Sequence, residues 1–169
     1  MIRTAVITVS DKGSRGERED VSGPEIIRLL EAIDAEVIYT AVIPDEPDRI
    51  MAALIECADV MKCELILTTG GTGVSPRDIT PDATLMVIDR AIPGMAEAMR
   101  REGALKTPHA MLSRAVVGIR NQSLIANLPG SPKGARENLA VILPALRHAI
   151  EKIQGDESDC AMDANHPTV

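Results

Sequence analysis

Residues 65–73 read Leu-Ile-Leu-Thr-Thr-Gly-Gly-Thr-Gly, so a short apolar run leads into a glycine-rich turn. A short apolar run bounded by glycine is typical of a buried strand. Glycine lets the backbone approach a ligand closely and leaves N–H groups directed into the gap. Arg77, Asp78 and Asp82 follow this turn. Carboxylates beside such a turn indicate a metal ion, and a metal ion beside free N–H groups indicates phosphate.

Strand-like runs also occur on both sides of this stretch. Residues 2–9 and 36–43 are rich in Val, Ile and Thr, and a run with apolar residues at helical spacing follows each. Alternating strands and helices predict an α/β fold, a three-layer α/β/α sandwich around a mostly parallel sheet. Residues 115–119 and 123–128 are joined by a short polar link, which predicts a hairpin. One strand should therefore run antiparallel, at an edge of the sheet.

Proline residues mark several predicted helix boundaries. Thr80 and Pro81 are expected to cap the helix after the glycine turn, with Leu85 and Ile88 facing inward. The last helix should run to about residue 153. Pro144 lies inside it and is expected to kink or split it.

The composition fits one domain in 169 residues. We predict a domain over residues 1–153 and an acidic, disordered tail over residues 154–169. Apolar residues make up 45% of the chain and aromatic residues only 1%, with Tyr39 as the single example. An adenine ring would therefore be held without aromatic stacking unless Tyr39 is placed for it. A net charge of −7 and the absence of a basic run argue against nucleic acid as a partner.

The cysteine pattern favours a reduced, cytoplasmic protein. Cys57 and Cys63 lie in or near an apolar helix and are expected to be buried thiols. Cys160 and His166 lie in the polar tail, at a spacing that matches no standard metal site. We expect no signal peptide, because Met1 leads directly into a strand-like run without a cleavable apolar region. No apolar stretch of the sequence reaches the ~20 residues that span a bilayer.

Four predicted strand ends carry the polar residues of interest. Ligands of parallel α/β sheets bind beyond the carboxyl ends of the strands, which brings these four loops to one edge. The loops contain, in chain order, Ser10 and Asp11, Asp45 and Glu46, the glycine turn, and Pro129, Gly130 and Ser131. This convergence predicts a single site.

Taken singly, the acidic residues have structural explanations. Asp45 could cap the helix that starts near Pro47, and Asp82 could complement a helix dipole. Asp11 could simply end its strand. Together, carboxylates around a phosphate-sized cradle of N–H groups suit Mg²⁺, which keeps several waters and bridges phosphates. The helix that begins after Ser131 offers a second site for an anion.

Other common sites do not fit this pattern. No Gly-Lys-Ser/Thr follows the glycine turn, so it is not a Walker A loop, and it lacks the spacing of a dinucleotide fingerprint. The three histidines, His109, His148 and His166, lie outside the four loops, as do all the cysteines. Nucleotidyl or phosphoryl transfer remains, because it needs positioning and charge neutralisation more than covalent help from the protein.

Several linked motifs resemble those of the molybdopterin adenylyltransferases, the MogA/MoaB-like family of molybdenum cofactor biosynthesis to which the gephyrin G domain is related. The strongest covers residues 69–84, from the glycine turn through Arg77-Asp78-Ile79-Thr80-Pro81. Residues 9–23, 43–46, 92–94, 112–115 and 127–132 resemble the family's other motifs and follow in the same order. The resemblance covers about residues 1–153 and implies a molybdopterin-binding-domain-like fold.

The resemblance also implies an activity. Such an enzyme transfers AMP from ATP, its co-substrate, to the terminal phosphate of molybdopterin and releases pyrophosphate, with Mg²⁺ as cofactor. It implies a homotrimer that makes transient contact with a molybdenum insertase. Asp45 and Asp78 match the two catalytic aspartates and are expected either to bind Mg²⁺ or to orient the reacting phosphates. Further expected substrate- and phosphate-binding positions are Ser10, Asp11, Thr69, Gly70, Gly71, Thr72, Gly73, Asp82, Pro129, Gly130 and Ser131.

A second hypothesis is a catalytically silent molybdopterin-binding or scaffold protein on the same fold. A branch of the family thought to be inactive lacks the acid that corresponds to Asp45. This chain retains Asp11, Asp45 and Asp78, which favours the enzyme. The charged loop over residues 12–19 is unlike that of relatives and leaves the contacts there open.

Overall fold

A computed structural model describes residues 1–156, which form a six-stranded sheet covered by helices on both faces. Residues 157–169 of the predicted tail, with Cys160 and His166, lie outside the described residues. The sheet order is β2-β1-β3-β6-β5-β4. The strands are β1 (Ile2–Val9), β2 (Ala35–Ile43), β3 (Leu65–Thr69), β4 (Arg90–Ala91), β5 (Val117–Arg120) and β6 (Ser123–Leu128).

The connections between strands are mostly helical. The α-helices are α1 (Asp11–Ser14), α2 (Ser22–Leu30), α3 (Pro47–Ile55), α4 (Thr80–Val87), α5 (Pro93–Ala104) and α6 (Pro132–Ile153). Short 3₁₀-helices cover Glu31–Ile33 and Pro108–Leu112, and α3 continues into a π-helical turn, Glu56–Val60.

The core consists of two apolar layers, one on each face of the sheet. Along β3, Leu65 and Leu67 face the layer under α2, α5 and α6, whereas Ile66 faces the layer under α3 and α4. This alternation follows from the two-residue period of a strand, and a strand buried on both faces has no polar side. The predicted three-layer α/β/α architecture is confirmed.

The mostly parallel sheet is confirmed as well. β2, β1, β3 and β6 run parallel, and β5 pairs antiparallel with β6 as the hairpin predicted. The short strand β4, which sequence reasoning missed, pairs antiparallel on the outer side of β5. Its two residues are too few to show a strand pattern.

Two details of the helices differ from expectation. Leu85 of α4 is exposed, not inward, because the helix packs on the sheet through Ala83 and Val87 instead. α6 continues through Pro144 without being split. Leu139 and Leu146, on either side of the proline, are fully buried, so core packing holds both halves in one helix.

The end of the π-helical turn is tied to the β5–β6 turn by Asp59. Its carboxylate accepts hydrogen bonds from Arg120 Nε at 3.0 Å and Asn121 Nδ2 at 2.8 Å. The hydrogen bond from Arg120 is the main cause that lowers the pKa of Asp59. We expect Asp59→Ala to lower the free energy of unfolding by about 1–2 kcal/mol at pH 7.

The pH dependence of that loss has a definite sign. The pKa of Asp59 is lower in the folded state than its ordinary value of 3.8. The ion pair therefore contributes fully to the free energy of unfolding above pH 3.8, and this contribution disappears as the pH falls through the pKa of the folded state. Urea unfolding at pH 7 and pH 3 should show a smaller difference between the two proteins at pH 3. An equal difference at both pH values would contradict this role of the ion pair.

Candidate functional site

A cleft of about 450 Å³ lies at the carboxyl ends of the parallel strands. Loops after β1, β2, β3 and β6 all contribute to its lining, as the sequence predicted. The predicted site residues that line it are Ser10, Asp45, Thr69, Gly70, Gly71, Asp78, Gly130 and Ser131. The predicted residues outside the lining are Asp11, Thr72, Gly73, Asp82 and Pro129.

Asp11 and Asp45 join the first two loops through a reciprocal pair of hydrogen bonds. The N–H of Asp11 donates to Asp45 Oδ2 at 2.8 Å, and the N–H of Asp45 donates to Asp11 Oδ1 at 3.0 Å. Arg77 donates hydrogen bonds to the Asp11 carboxylate from Nε at 3.0 Å and from Nη2 at 2.8 Å. Asp11 therefore positions Asp45 and Arg77 and does more than end its strand.

The capping alternative for Asp45 does not hold. Glu46 occupies the N-cap position of α3, without a capping bond from its side chain. The Asp45 carboxylate instead lines the cleft, where Oδ2 meets the backbone of Asp11. This leaves Oδ1 directed toward the glycine turn, since a methyl group built on Gly71 would lie 3.0 Å from it.

The local charges act differently on the two linked aspartates. Burial raises the pKa of Asp45, the hydrogen bond from Asp11 N–H opposes this, and the negative charges of Asp11 and Asp78 add to the rise. Burial also acts to raise the pKa of Asp11, but the hydrogen bonds from Arg77 and the Asp45 N–H outweigh it and lower the value. The cleft thus holds one carboxylate whose charge is poorly compensated.

Asp78 reaches the same cleft from the far side of the glycine turn. Its Oδ2 accepts a hydrogen bond from the N–H of Ser75 at 2.9 Å, which holds the carboxylate in place. A methyl group on Gly73 would lie 2.9 Å from this oxygen, so the absence of a side chain there allows the approach. Asp45 and Asp78 therefore face one cleft within a single chain.

The glycine turn has two parts with different roles. Gly70 has φ +104° and donates its N–H to the Leu128 carbonyl at 3.1 Å, so this N–H is not available to a ligand. Gly71 has φ +63°, and its N–H finds no acceptor within residues 1–156. The turn is held to the last loop by Thr69, whose hydroxyl donates to the Pro129 carbonyl at 2.6 Å. Gly71, rather than Gly70, can therefore donate to an anion.

The last loop offers a helix N-terminus. Ser131 caps α6 by accepting a hydrogen bond from the N–H of Gly134 at 3.0 Å, as predicted. The first turn of this long helix opens on the cleft through Ser131 and Pro132. Free N–H groups and the helix dipole favour an anion at such a position.

Asp82 and Arg114 form an ion pair that supports the glycine turn from outside the cleft, and we call this pair the Arg114 bracket. Arg114 donates to the Asp82 carboxylate at 2.8 Å, to the Gly73 carbonyl at 2.9 Å and to the Asp78 carbonyl. The hydrogen bond from Arg114 is the main cause that lowers the pKa of Asp82. Asp82 thus supports the turn from outside the cleft. Its spacing from Asp78 was visible in the sequence, but its partner, 32 residues away, was not.

Sequence reasoning missed the contribution of residues 18–22 to the lining, among them Arg18, Asp20 and Ser22. Asp20 accepts hydrogen bonds from the Thr8 hydroxyl at 2.7 Å and from the N–H groups of Ser22 and Gly23. Ser22 donates its hydroxyl to the Gly130 carbonyl at 2.8 Å. An acid just before Ser22-Gly23-Pro24 is a helix-capping signal that could have identified Asp20.

Thr80 was expected to cap α4, but the N-cap position is occupied by Ile79. Thr80 is the first residue of the helix, it is completely buried, and its hydroxyl has no hydrogen-bond partner. Within residues 1–156 this is the one buried side-chain oxygen or nitrogen without a partner. Leaving a buried hydroxyl unsatisfied costs roughly 1–3 kcal/mol, so the position calls for an explanation.

The carboxylates fit a cation that is shared with a ligand. Within residues 1–156 no three His, Cys, Asp or Glu side chains come together as a metal cage. Mg²⁺ is commonly bound by one or two carboxylates, with phosphate oxygens and waters as its other ligands. Asp45 and Asp78, beside the Gly71 N–H and the start of α6, provide that arrangement.

The family described as "Probable molybdopterin binding domain" matches residues 5–148. The chain belongs to this family. The family resemblance inferred from the sequence motifs is thus confirmed. Within residues 1–156 none of its helices has the length and apolar character needed to cross a bilayer.

Relatives agree with the assignment. The molybdopterin biosynthesis enzyme MoaB from Thermus thermophilus shares 51% of its residues with this chain. Its crystal structure matches with a TM-score of 0.88, and the match covers 92% of this chain and 98% of that one. A molybdopterin adenylyltransferase of Helicobacter pylori is 42% identical over 157 residues, 92% of this chain and 89% of the relative. A Dictyostelium discoideum gephyrin is 44% identical over 156 residues, 86% of this chain but 21% of the gephyrin.

Proposed function

We propose that the protein is a molybdopterin adenylyltransferase of molybdenum cofactor biosynthesis. An oxygen of the terminal phosphate of molybdopterin attacks the α-phosphorus of ATP and forms a new P–O bond. The bond from the α-phosphorus to the oxygen that bridges to the β-phosphate breaks, and pyrophosphate leaves with the bonding electrons. Membership of the family and the names of its relatives support this reaction.

The observation that carries the proposal is the pairing of Asp45 and Asp78 on one cleft at the glycine turn. Mg²⁺ bound together with ATP would be held by these two carboxylates and would neutralise charge on the reacting phosphates. The raised pKa of Asp45 fits this role, because burial and the charges of Asp11 and Asp78 outweigh the compensation from the Asp11 N–H and Arg77.

Other residues of the chain bind and orient the phosphates. The Gly71 N–H donates to a phosphate oxygen, and the N-terminus of α6 at Ser131 attracts a second anionic group. Asp11 keeps Asp45 in place through their two hydrogen bonds. Such positioning and charge stabilisation supply most of the catalysis in phosphoryl-transfer enzymes.

The direct test is turnover. Purified protein is incubated with ATP, MgCl₂ and molybdopterin, and pyrophosphate and adenylylated molybdopterin are measured by coupled assay and mass spectrometry. Both products should form in equal amounts. Molybdopterin binding without pyrophosphate would contradict the proposal and favour the silent scaffold, the hypothesis that retention of Asp45 and Asp78 argues against.

Arg18 is the one cationic side chain among the described residues that line the cleft. Within residues 1–156 its guanidinium has no ion-pair or hydrogen-bond partner, so it is available to a phosphate. We expect Arg18→Ala to raise the KM for ATP or molybdopterin about tenfold, or ~1.4 kcal/mol, with kcat nearly unchanged. Steady-state kinetics with each substrate varied in turn measures this.

Arg15 provides a matched control in the same loop. Its guanidinium is already paired with Glu17 at 2.8 Å, and it does not line the cleft. Arg15→Ala removes the same charge from the protein and should leave both KM values within twofold. If both variants raise KM equally, the effect comes from net charge and not from a contact made by Arg18.

Three further features stay proposals. A homotrimer would cover apolar side chains that are exposed in the single chain and lie close in sequence to Gly73, Asp82 or Arg114, namely Val74, Leu85, Met86, Met111 and Leu112. The mass in solution, expected at three times the 18.0 kDa of the chain, would test it. Cytoplasmic location and transient contact with a molybdenum insertase remain predictions from the sequence.

A further inference from the structure

The hydroxyl of Thr80 is unused in a position where the rest of the residue is fully bonded. The N–H of Thr80 donates to the Gly71 carbonyl at 3.1 Å, and its own carbonyl accepts from the Thr84 hydroxyl at 2.8 Å. Five other buried threonines, Thr4, Thr8, Thr68, Thr69 and Thr84, use their hydroxyls; Thr4, for example, donates to the Ile2 carbonyl at 3.0 Å. Within residues 1–156, a fully buried hydroxyl without a hydrogen-bond partner is therefore particular to position 80.

The hydroxyl is directed at the candidate site. A methyl group built on Gly71 would lie 2.5 Å from Thr80 Oγ1 and 3.0 Å from Asp45 Oδ1, so both oxygens face the same point above Gly71. Asp45 Oδ2 already accepts from the Asp11 N–H, whereas Oδ1 receives no hydrogen bond from residues 1–156. The Thr80 hydroxyl, a donor without an acceptor, thus lies near Asp45 Oδ1, an acceptor without a donor.

We propose that Thr80 is a positioning residue whose hydroxyl donates to Asp45 Oδ1 when metal and nucleotide are bound. The inference rests on the proposed function and adds a residue to it. The hydrogen bond fixes the second oxygen of a carboxylate whose first oxygen is fixed by Asp11. It also explains why residue 71 is glycine, since a side chain there would fill the space between the two oxygens.

A purely structural role makes the opposite prediction. If the threonine only fills space, Thr80→Val keeps its shape, removes an unsatisfied hydroxyl and leaves function unchanged. Under our proposal the same variant is at least as stable as the wild type without ligand, but kcat falls about tenfold with little change in KM for molybdopterin. Thr80→Ser restores the hydroxyl and should recover most of kcat.

Thr4→Val is the matched control. Thr4 is equally buried, but its hydroxyl is satisfied and lies in β1, away from the cleft. This variant should lose thermal stability while keeping kcat and its response to Mg·ATP. Thr80→Val should therefore lose kcat and keep its thermal stability, whereas Thr4→Val should lose thermal stability and keep kcat. A Thr80→Val protein that turns over normally would overturn the inference.

The decisive measurement is a double-mutant cycle on the Kd for Mg·ATP, measured by calorimetry without molybdopterin. Thr80→Val should weaken binding about fivefold in the wild-type background and less than twofold in the Asp45→Asn background, because Thr80 acts through Asp45. Equal weakening in both backgrounds would overturn the inference. If the wild type does not bind Mg·ATP, the proposed function fails and this inference with it. If wild type and Thr80→Val bind equally, this inference fails alone.

Discussion

Asp45→Asn and Asp78→Asn should each lower kcat roughly 100-fold or more, while molybdopterin binding stays largely intact. Loss of a carboxylate that holds a charge-neutralising cation removes about 2.7 kcal/mol or more of transition-state stabilisation. Asparagine keeps an oxygen that can accept the hydrogen bond from Asp11 or Ser75, so the loops should remain in place. Pyrophosphate release measures kcat, and fluorescence titration of the pterin measures binding.

The same change at Asp45 should raise stability in the absence of ligands. Because the pKa of Asp45 is raised in the folded state, its ionised form opposes folding at neutral pH. This free-energy cost is absent below the pKa that Asp45 has in the unfolded state. It develops as the pH rises through the higher pKa of the folded state. Asp45→Asn should thus raise Tm at pH 7 and have less effect near pH 4, as scanning calorimetry can show.

Asp48→Asn is the control for both effects. Asp48 is exposed in the first turn of α3, three residues after Asp45, and does not line the cleft. Its replacement should leave kcat unchanged and alter stability by no more than a few tenths of a kcal/mol. Near-normal turnover in either the Asp45 or the Asp78 variant would show that these carboxylates are not the catalytic pair.

Gly70→Ala should destabilise the fold by about 2–4 kcal/mol and abolish turnover. Gly70 has φ +104°, where a side chain is strained, and its new methyl group would overlap the Val9 carbonyl oxygen. Backbone atoms cannot move aside as a side chain can, so the hydrogen bond from Gly70 to Leu128 should break. At this chain length the expected decrease in Tm is about 5–15 °C.

Two other glycines separate the causes of that effect. Gly16 has φ +73° with nothing within 4 Å of a new methyl group, so Gly16→Ala reports strain alone, at about 1 kcal/mol. Gly94 lies in α5 with open space and no positive φ, so Gly94→Ala should be neutral or slightly stabilising. If Gly70→Ala costs no more than Gly16→Ala, the overlap with Val9 is not important.

The sequence predicted the candidate site well where one rule of topology applied. Ser10, Asp45, Gly71 and Ser131 follow different strands, and parallel strands bring their carboxyl ends to one edge. Asp78 follows from the same rule because it comes soon after the glycine turn. No knowledge of side-chain contacts was needed for these residues.

Interactions that depend on side-chain direction could not be predicted in this way. Asp11 and Asp82 were expected to be binding positions, but the structure pairs them with Arg77 and Arg114 outside the cleft lining. Each pair joins residues more than 30 positions apart. A local pattern gives the type of a charged residue, whereas the orientation of its side chain depends on the packed neighbours.

Hydrophobic periodicity, glycine spacing and proline positions were therefore sufficient for the α/β/α layers, the parallel strands and the edge that holds the cleft. These features repeat along the chain and depend on local geometry. Only the tertiary structure decided which carboxylates face the cleft, that the arginine in the cleft lining, Arg18, has no partner among residues 1–156, and that Thr80 is buried with a free hydroxyl. Those properties arise when distant loops pack together, because burial and hydrogen bonding depend on neighbours in space rather than in sequence.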